Sequence, residues 1–296
     1  MTNDLGTKID TYLTYIKENS GLSPNTVSAY SQDLYAFRRF IEAQSTSVIQ
    51  SEDIERFLWG QKESGKSIRS CARIASSLRQ FYRWIIQNDD QAIDPMIRIS
   101  IPLTESPHPV ILTTTEINQL LEAPDDNTMI GIRDHAILET LYGTGIRVSE
   151  LLNLQKADLD FDLKMLHIRT QQERWIPINH PALVWLEKFC HDVRPKLVLK
   201  RLNQESDVLF LNQNGKPLSR QAIWQLIKNY RRKSHLTKTV SPETLRQSLA
   251  SQLLQNGADL RIVRMVLGKK PIDAINYPTL TQKQVIIGYN RAHPRN

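Results

Sequence analysis

Apolar side chains recur at helical spacing along most of this chain, and the pattern predicts a mainly α-helical protein. The clearest stripe follows Ser23 and Pro24, a pair typical of a helix start. Its members are spaced three and four residues apart: Val27, Tyr30, Leu34, Phe37 and Ile41. Shorter stripes predict one helix before it and one after it, and these consist of Ile9, Tyr12, Leu13 and Ile16, and of Ile54, Phe57 and Leu58.

A fourth predicted helix has two opposite faces, assigned by a rotation of about 100° per residue. Its apolar face consists of Ile74, Leu78, Phe81 and Ile85. Four arginines lie on roughly the opposite side: Arg69, Arg73, Arg79 and Arg83. Residues 64–88 contain no acidic side chain, so we expect nothing nearby to neutralise this face. A solvated charged face is one interpretation, and the single sign of charge favours the other, contact with DNA phosphates.

The helical pattern breaks between residues 89 and 115, where acidic residues and four prolines occur. We therefore expect two domains, residues 1–92 and 113–296, joined by a linker over 93–112. The second domain begins with a capping box formed by Thr113 and Glu116.

The second domain is predicted to be mostly helical with one β-hairpin. One helix ends near Gly143, and the others cover residues 148–154, 181–190, 219–232 and 243–255. The hairpin consists of Met165–Arg169 and Trp175–Ile178. Because Pro177 lacks a backbone N–H, it fits only an edge strand.

Composition narrows the functional classes. The chain has 38 basic and 31 acidic residues, a formal charge of +7, and the excess lies after residue 100, as in proteins with a polyanionic partner such as DNA. Cys71 and Cys190 are far apart in the sequence, so neither a disulfide framework nor a zinc site is predicted. No stretch approaches the roughly 18 apolar residues of a membrane span, and the start is polar and acidic, so we expect a soluble cytoplasmic protein.

Five motifs occur in order along the second domain: Gly143–Leu151, Ser241–Arg246, Leu253–Leu260, Leu267–Gly268 and Tyr277. Together they resemble the Xer-type tyrosine recombinases of the phage-integrase superfamily, and the resemblance covers nearly the whole chain. It implies a mainly α, two-domain tyrosine-recombinase fold. A helical, SAM-like N-terminal core-binding domain and a mostly helical catalytic domain with a small antiparallel β-sheet would form a C-shaped clamp around duplex DNA.

The resemblance also implies DNA strand exchange without a metal or another cofactor. Tyr277 matches the nucleophile, which attacks a phosphodiester and leaves a 3′-phosphotyrosyl intermediate and a free 5′-hydroxyl. Arg147 and Arg246 match the two arginines that bind the scissile phosphate, where paired hydrogen bonds offset the charge that grows in the transition state. Taken singly, Arg147 is better explained by a salt bridge to Glu150, and Tyr277 by a packed aromatic residue. Together, in the order of the family, they favour the phosphate site.

Two histidines of the family pattern are replaced. Glu243 stands three residues before the second arginine, and Lys269 stands directly after the Leu-Gly pair. Lys269 retains a hydrogen-bond donor and a positive charge. For Glu243 two interpretations are open: it pairs with Arg246 or Arg147 and occupies them, or it acts as a base toward Tyr277.

The predicted hairpin departs from the family pattern as well. The family carries a lysine in this turn as general acid to the leaving 5′-oxygen, but residues 169–174 contain none. Arg169 is the candidate to reach the site, and with a pKa above about 12 an arginine is a weak general acid.

Two further segments resemble the family's interaction surfaces. The helix over residues 219–232 resembles the one that enters a DNA groove, with Trp224 and Ile227 as its buried side. Its DNA-binding candidates are Arg220, Lys228, Arg231, Arg232 and Lys233. Residues 282–296 resemble the C-terminal helix that docks on a neighbouring recombinase subunit, in a homo- or hetero-oligomer on DNA, and a helix docked on its own chain is the open alternative.

Three functions follow from the sequence. The first is a tyrosine recombinase of weakened activity, because the general-acid and histidine positions are substituted. The second is a DNA-binding relative that has lost strand cleavage and serves as an architectural or regulatory subunit. The third is a helical transcription regulator, and it leaves Arg147, Arg246 and Tyr277 unexplained.

Overall fold

Contacts between Cα atoms divide the chain into two units, residues 1–107 and 108–296. The structure is a computed structural model that describes residues 2–19, 21–44, 48–88, 93–100, 109–170, 173–200, 207–269 and 280–295. The division falls within the linker proposed over residues 93–112, and the exact bounds of that linker stay a prediction.

The first unit is helical, and its described residues form four helices: α1 (Thr2–Asn19), α2 (Pro24–Gln44), α3 (Ser51–Glu63) and α4 (Ile68–Asn88). The predicted apolar stripes meet in one core. The ring of Phe37 in α2 lies edge-on to Phe57 in α3, with 5.2 Å between centroids, and Tyr12 in α1 lies 5.4 Å from Phe81 in α4. The four predicted helices are therefore confirmed.

The described residues of the second unit form nine α-helices, a 3₁₀ turn at Lys156–Asp158, a π-helical segment at Phe189–Val193 and one small sheet. The helices are α5 (Thr114–Leu121), α6 (Met129–Thr144), α7 (Val148–Asn153), α8 (His180–Lys188), α9 (Arg194–Val198), α10 (Arg220–Lys233), α11 (Pro242–Gln255), α12 (Leu260–Val266) and α13 (Gln282–Ala292). Helix α6 is buried over nearly its whole length, so the other elements pack around it. The capping box predicted before α5 is confirmed, since Thr113 Oγ1 accepts from the Glu116 N–H at 3.2 Å.

The sheet is antiparallel with the strand order β1 (Leu159–Asp160), β2 (Met165–Ile168) and β3 (Arg174–Pro177). Pro177 pairs with Met165 at the end of the edge strand β3, as expected. Strand β1 has only two residues, too few for an alternating pattern to reveal. The third strand also begins one residue earlier than predicted, which places Arg174 in the sheet.

Gly145 sets the path of the chain between α6 and α7. Its φ of +60° is left-handed, which glycine adopts without steric cost, and its N–H donates to the Leu141 carbonyl at the end of α6. A Cβ at this position would lie 2.8 Å from Leu267 Cδ2 and 3.0 Å from Leu249 Cδ2. A glycine is therefore needed here for two reasons: it permits the left-handed turn, and it lets side chains of α11 and of the residue after α12 approach closely.

We expect Gly145→Ala to lower the free energy of unfolding by about 2–4 kcal/mol, because left-handed strain and overpacking add. Gly257→Ala is the matched control: its φ is +82°, but nothing lies within 4 Å of the added Cβ, so strain alone costs about 1 kcal/mol. Urea unfolding followed by circular dichroism measures both values. Equal losses in the two variants would contradict the packing argument.

Candidate active site

A buried carboxylate, Glu150, organises the first half of the candidate site. Helix α7 begins after Arg147, and the Glu150 side chain turns back to accept the Arg147 backbone N–H at 2.7 Å. The Arg147 guanidinium also reaches it, with 3.2 Å between Nη1 and Oε1. The salt bridge considered for Arg147 is thus present, yet 44% of the Arg147 side chain stays exposed while Glu150 is buried.

Arg246 lies on α11 and is buried beside the same turn. Its Nη1 donates to the Gly145 carbonyl and its Nη2 to the Leu267 carbonyl. Burial, followed by the positive charge of Arg147, lowers the pKa of Arg246 to about 10, so it stays protonated at neutral pH. The structure therefore brings together the two arginines predicted to bind phosphate.

A third arginine, Arg174, joins this cluster from β3 and was missed by sequence reasoning. Its Nη1 and Nη2 donate to the two carboxylate oxygens of Glu150 at 2.9 and 3.1 Å. Burial alone would raise the pKa of Glu150, but hydrogen bonds from Arg174 and the Arg147 backbone, with both positive charges, hold that pKa below its usual value. The sequence signal was slight, an arginine directly before an alternating strand.

The three arginines also bind three consecutive carbonyls at the end of α12. Arg174 Nε donates to Val266 O at 3.2 Å, Arg246 Nη2 donates to Leu267 O, and Arg147 Nη2 donates to Gly268 O at 3.1 Å. Carbonyls at a helix C-terminus lack intrahelical partners and carry partial negative charge, which suits these cations. We define Arg147, Glu150, Arg174 and Arg246 as the arginine cluster.

The end of α12 continues directly toward the remaining candidates. Gly268 has a φ of +57°, and a Cβ there would lie 2.6 Å from Arg174 Cζ, so glycine is required for the close contact. Lys269 follows and is exposed, with its backbone N–H donating to the Arg264 carbonyl at 2.9 Å. Tyr277, the predicted nucleophile, lies outside the described residues.

Glu243 does not form an ion pair with Arg246 or Arg147, which was one of the two interpretations of this residue. It is exposed on the first turn of α11, and its Oε1 accepts from Gln247 Nε2 at 3.0 Å. Glu150 is already in place as the carboxylate partner of the cluster.

Arg169 does not join the cluster either. Its Nε lies 2.6 Å from Oδ1 of the buried Asp158, in the turn before β1, and about half of its side chain is exposed. The hairpin reaches the cluster through Arg174 instead, because a residue inside β3 is held by strand pairing.

The expectation that nothing neutralises the arginine face of α4 is wrong for one of its four members, Arg73, and a second, Arg79, has a neutral hydrogen-bond partner. Arg73 pairs with the buried Asp33 of α2, and Arg79 Nη2 donates to the Ile99 carbonyl at 2.6 Å. These partners are distant in sequence, so a search within the helix could not find them. Arg69 and Arg83 are exposed and have no such partner among the described residues.

Helix α10 presents a partly different face from the one predicted. Ile227 is buried as expected, but Trp224 is 51% exposed, because it lies four residues from both Arg220 and Lys228 on the same stripe. Arg220, Lys228 and Arg232 are exposed too. Arg231 instead donates to the Leu236 and Thr237 carbonyls, at 3.2 and 3.1 Å, and stabilises the end of the helix.

Helix α13 docks on its own unit. Val285, Tyr289 and Ala292 are buried, and the Tyr289 hydroxyl donates to the Gly143 carbonyl of α6. Beyond the helix, Arg295 Nη2 lies 2.7 Å from Oε1 of Glu139, a residue buried completely in α6. Of the two alternatives left open for the C-terminal segment, the structure contains the self-docked form.

The chain matches the models of one protein family over both of its units. The model of the phage integrase family matches residues 111–281, and that of the phage integrase N-terminal SAM-like domain matches residues 9–89. The chain therefore belongs to the phage integrase family, as its motifs indicated. Among the described residues, no helix combines the length and apolar character that crossing a bilayer requires.

Individual relatives cover almost the whole chain. The tyrosine recombinase XerD of Staphylococcus saprophyticus subsp. saprophyticus is 37% identical over 297 residues, 98% of this chain and 100% of that protein. XerD of Listeria innocua is 36% identical over 300 residues, 99% of each chain.

Two solved structures share the predicted two-domain fold, which is thereby confirmed. The Tn1549 transposon integrase in complex with circular intermediate DNA has a TM-score of 0.68 at 18% identity, covering 94% of this chain and 97% of that one. A lambda integrase dimer bound to a core site has a TM-score of 0.66 at 18% identity, covering 94% and 98%.

We expect Arg295→Met to lower the free energy of unfolding by about 3 kcal/mol, because it leaves the buried Glu139 carboxylate with only His135, whose Nε2 lies 3.7 Å away. Arg291→Met, on the exposed last turn of α13, is the matched control and should change stability by under about 0.5 kcal/mol. Urea unfolding measures both. Restoration by Glu139→Gln in the Arg295→Met background would support the pairing, and equal stability of the two single variants would refute it.

Proposed function

We propose that this protein is a site-specific tyrosine recombinase that binds duplex DNA and cuts and rejoins strands through Tyr277. The observation that carries the proposal is the arginine cluster, in which Arg147 and Arg246 converge on the end of α12, and Tyr277 follows that segment in the sequence. The identity to XerD recombinases over nearly the whole chain supports the same reaction.

The cluster suits the transition state of phosphoryl transfer. The Tyr277 phenol would lose its proton to a base as its oxygen forms a bond to phosphorus. The bond from phosphorus to the 5′-oxygen would break, and an acid would protonate that leaving oxygen. Arg147 would hold the non-bridging oxygens through its exposed guanidinium. Arg246, buried and pinned by two carbonyls, would supply fixed positive charge as negative charge develops.

The proposal includes weakened cleavage. The site keeps the arginines that would bind phosphate, but it has few groups that could transfer a proton. The segment 165–178 has no lysine, and the Glu243 side chain is bonded to Gln247. Lys269, exposed directly after Gly268, is the candidate to donate toward the phosphate or the leaving oxygen. The second candidate function, a DNA-binding relative without cleavage, draws its support from these same substitutions.

Two exposed surfaces would carry the DNA backbone. On α4 these are Arg69 and Arg83, with Arg73 and Arg79 as secondary contacts because each already has an internal partner. On α10 they are Arg220, Lys228 and Arg232 around the exposed Trp224. The proposal also includes assembly with further recombinase subunits on DNA through the C-terminal segment and a cytoplasmic location.

Covalent trapping tests the reaction. Duplexes bound by the protein are first selected from a random library, and a nicked suicide substrate is built from the selected sequence. We expect a protein–DNA adduct that is absent in Tyr277→Phe, because the phenol oxygen is the attacking atom.

The control for covalent trapping is Tyr15→Phe, which removes an exposed hydroxyl in α1 and should leave the adduct unchanged. Tight DNA binding without any adduct would favour the relative that has lost cleavage. Failure to select any duplex would contradict the DNA-binding proposal itself.

Salt dependence tests the DNA face of α4. Replacing Arg69 and Arg83 by glutamine should lower the slope of log Kd against log salt by about 1.8, since each lost phosphate contact on duplex DNA contributes about 0.9. The paired variant Arg73→Gln with Arg79→Gln should change that slope less and should lower stability, because Asp33 loses its partner. Fluorescence anisotropy on random-sequence duplexes measures the slopes. Equal changes in the two variants would contradict the assignment of Arg69 and Arg83 as the main phosphate contacts of α4.

A further inference from the structure

We propose that Arg174 is a positioning residue for strand cleavage: it saturates the buried Glu150 carboxylate and thereby leaves the Arg147 guanidinium available to the scissile phosphate. This inference rests on the proposed function, and it assigns a task to a side chain that no motif in the sequence marked.

Arg174 and Arg147 share the acceptor capacity of the Glu150 carboxylate. A carboxylate offers about four lone-pair sites, and here four donors fill them. Arg174 supplies two at 2.9 and 3.1 Å, and the Arg147 backbone supplies one at 2.7 Å. The Arg147 side chain supplies the last and longest, at 3.2 Å. The Arg147 guanidinium is therefore the most weakly held of the four donors.

The side chains of Arg174 and Arg147 differ in their exposure to solvent. Only 12% of the Arg174 side chain is accessible, against 44% for Arg147. Arg174 is also fixed on its remaining sides, since Nε donates to Val266 O and Gly268 packs directly against the guanidinium. A ligand approaching from solvent meets Arg147 before Arg174. Arg174 thus acts through Glu150 and the end of α12 rather than on DNA.

The positive charges around Glu150 determine which cation the carboxylate would bind if Arg174 were absent. The charged groups that face Glu150 are Arg147 from the start of α7, Arg174 from β3 and Arg246 from α11. If Arg174 were lost, the buried carboxylate would turn to the next cation within reach, which is Arg147. A second hydrogen bond from Arg147 to Glu150 would redirect the very donors that the phosphate needs. With Arg174 present, three guanidinium charges surround one carboxylate, and Arg147 can serve a second anion.

The decisive experiment compares Arg174→Met, Glu150→Gln and the double variant on the nicked suicide duplex. We expect the rate of adduct formation to fall about 10- to 100-fold in Arg174→Met, as for a displaced catalytic group, and to recover most of this loss in the double variant. Recovery is expected because glutamine keeps the acceptor for the Arg147 N–H but no longer attracts the guanidinium as a charge. DNA affinity should change less than the rate.

Arg194→Met is the matched control. Arg194 is a half-buried arginine of the same unit that donates to the Leu209 and Val208 carbonyls, at 3.1 and 2.9 Å, outside the cluster. Its loss should leave the rate of adduct formation within about twofold. A double variant as slow as Arg174→Met would overturn the inference, since it would mean that Arg174 only supports the fold. An undiminished rate in Arg174→Met would overturn it directly.

A second readout does not depend on cleavage and separates this inference from the proposed function. Inorganic phosphate is titrated while the Arg147 side-chain N–H signal is followed by nuclear magnetic resonance, assigned with Arg147→Lys. We expect Arg174→Met to need at least about tenfold more phosphate than the unsubstituted protein, and the double variant to reverse this increase. The same phosphate dependence in all three proteins would refute the role of Arg174, even if the unsubstituted protein forms no adduct.

Discussion

The buried carboxylate of Glu150 is the constraint on which the rest of the candidate site depends. An unpaired charge at this depth costs several kcal/mol, so the fold must deliver cations to it. One cation comes from the start of α7 and the other from β3, and a backbone N–H completes the set. The hydrogen bonds and ion pairs of the Glu150 carboxylate therefore hold the sheet edge against the turn that carries Arg147.

The end of α12 extends this constraint to a second element. Three guanidinium groups lie close together, and their mutual repulsion contributes to the lowered pKa of Arg246, after burial. The repulsion is offset by Glu150 and by three successive carbonyls, those of Val266, Leu267 and Gly268. Three positive charges stand against two carboxylates, Glu150 and the more exposed Glu243, which also acts on Arg246. The remaining positive charge suits an anion whose negative charge increases during the reaction. The arrangement is complete without any ligand and still has charge to offer one.

The sequence predicted the parts of the structure that depend on local pattern. The helical stripes, the capping box at Thr113 and the edge position of Pro177 all follow from spacing and from single-residue chemistry, and all are confirmed. Motif order also identified Arg147 and Arg246 as neighbours. Their 99-residue separation would have hidden this from any periodicity argument.

What the sequence did not predict depends on partners that are distant along the chain. Arg73 has no acid within its own helix, yet Asp33 of α2 meets it. Arg174 gave almost no local signal, because its importance arises from pairing with a carboxylate 24 residues earlier. Trp224 was assigned to the wrong face since a short helix with few apolar residues leaves its orientation to tertiary packing.

The substituted positions in this chain are those proposed to transfer protons, and the positions proposed to bind the phosphate charge are kept. Arg147, Arg246 and their shared carboxylate are all in place, whereas the altered positions, Glu243 and Lys269, are exposed beside them. General acid–base catalysis typically contributes about 10²–10⁴-fold, and preorganised charge usually contributes more. Under the proposed function, a protein that keeps the cluster and has fewer proton donors would hold a phosphodiester in reactive geometry while the leaving oxygen departs slowly. In that state binding and strand cleavage are separable properties of one site, because the groups that perform them are held by different contacts.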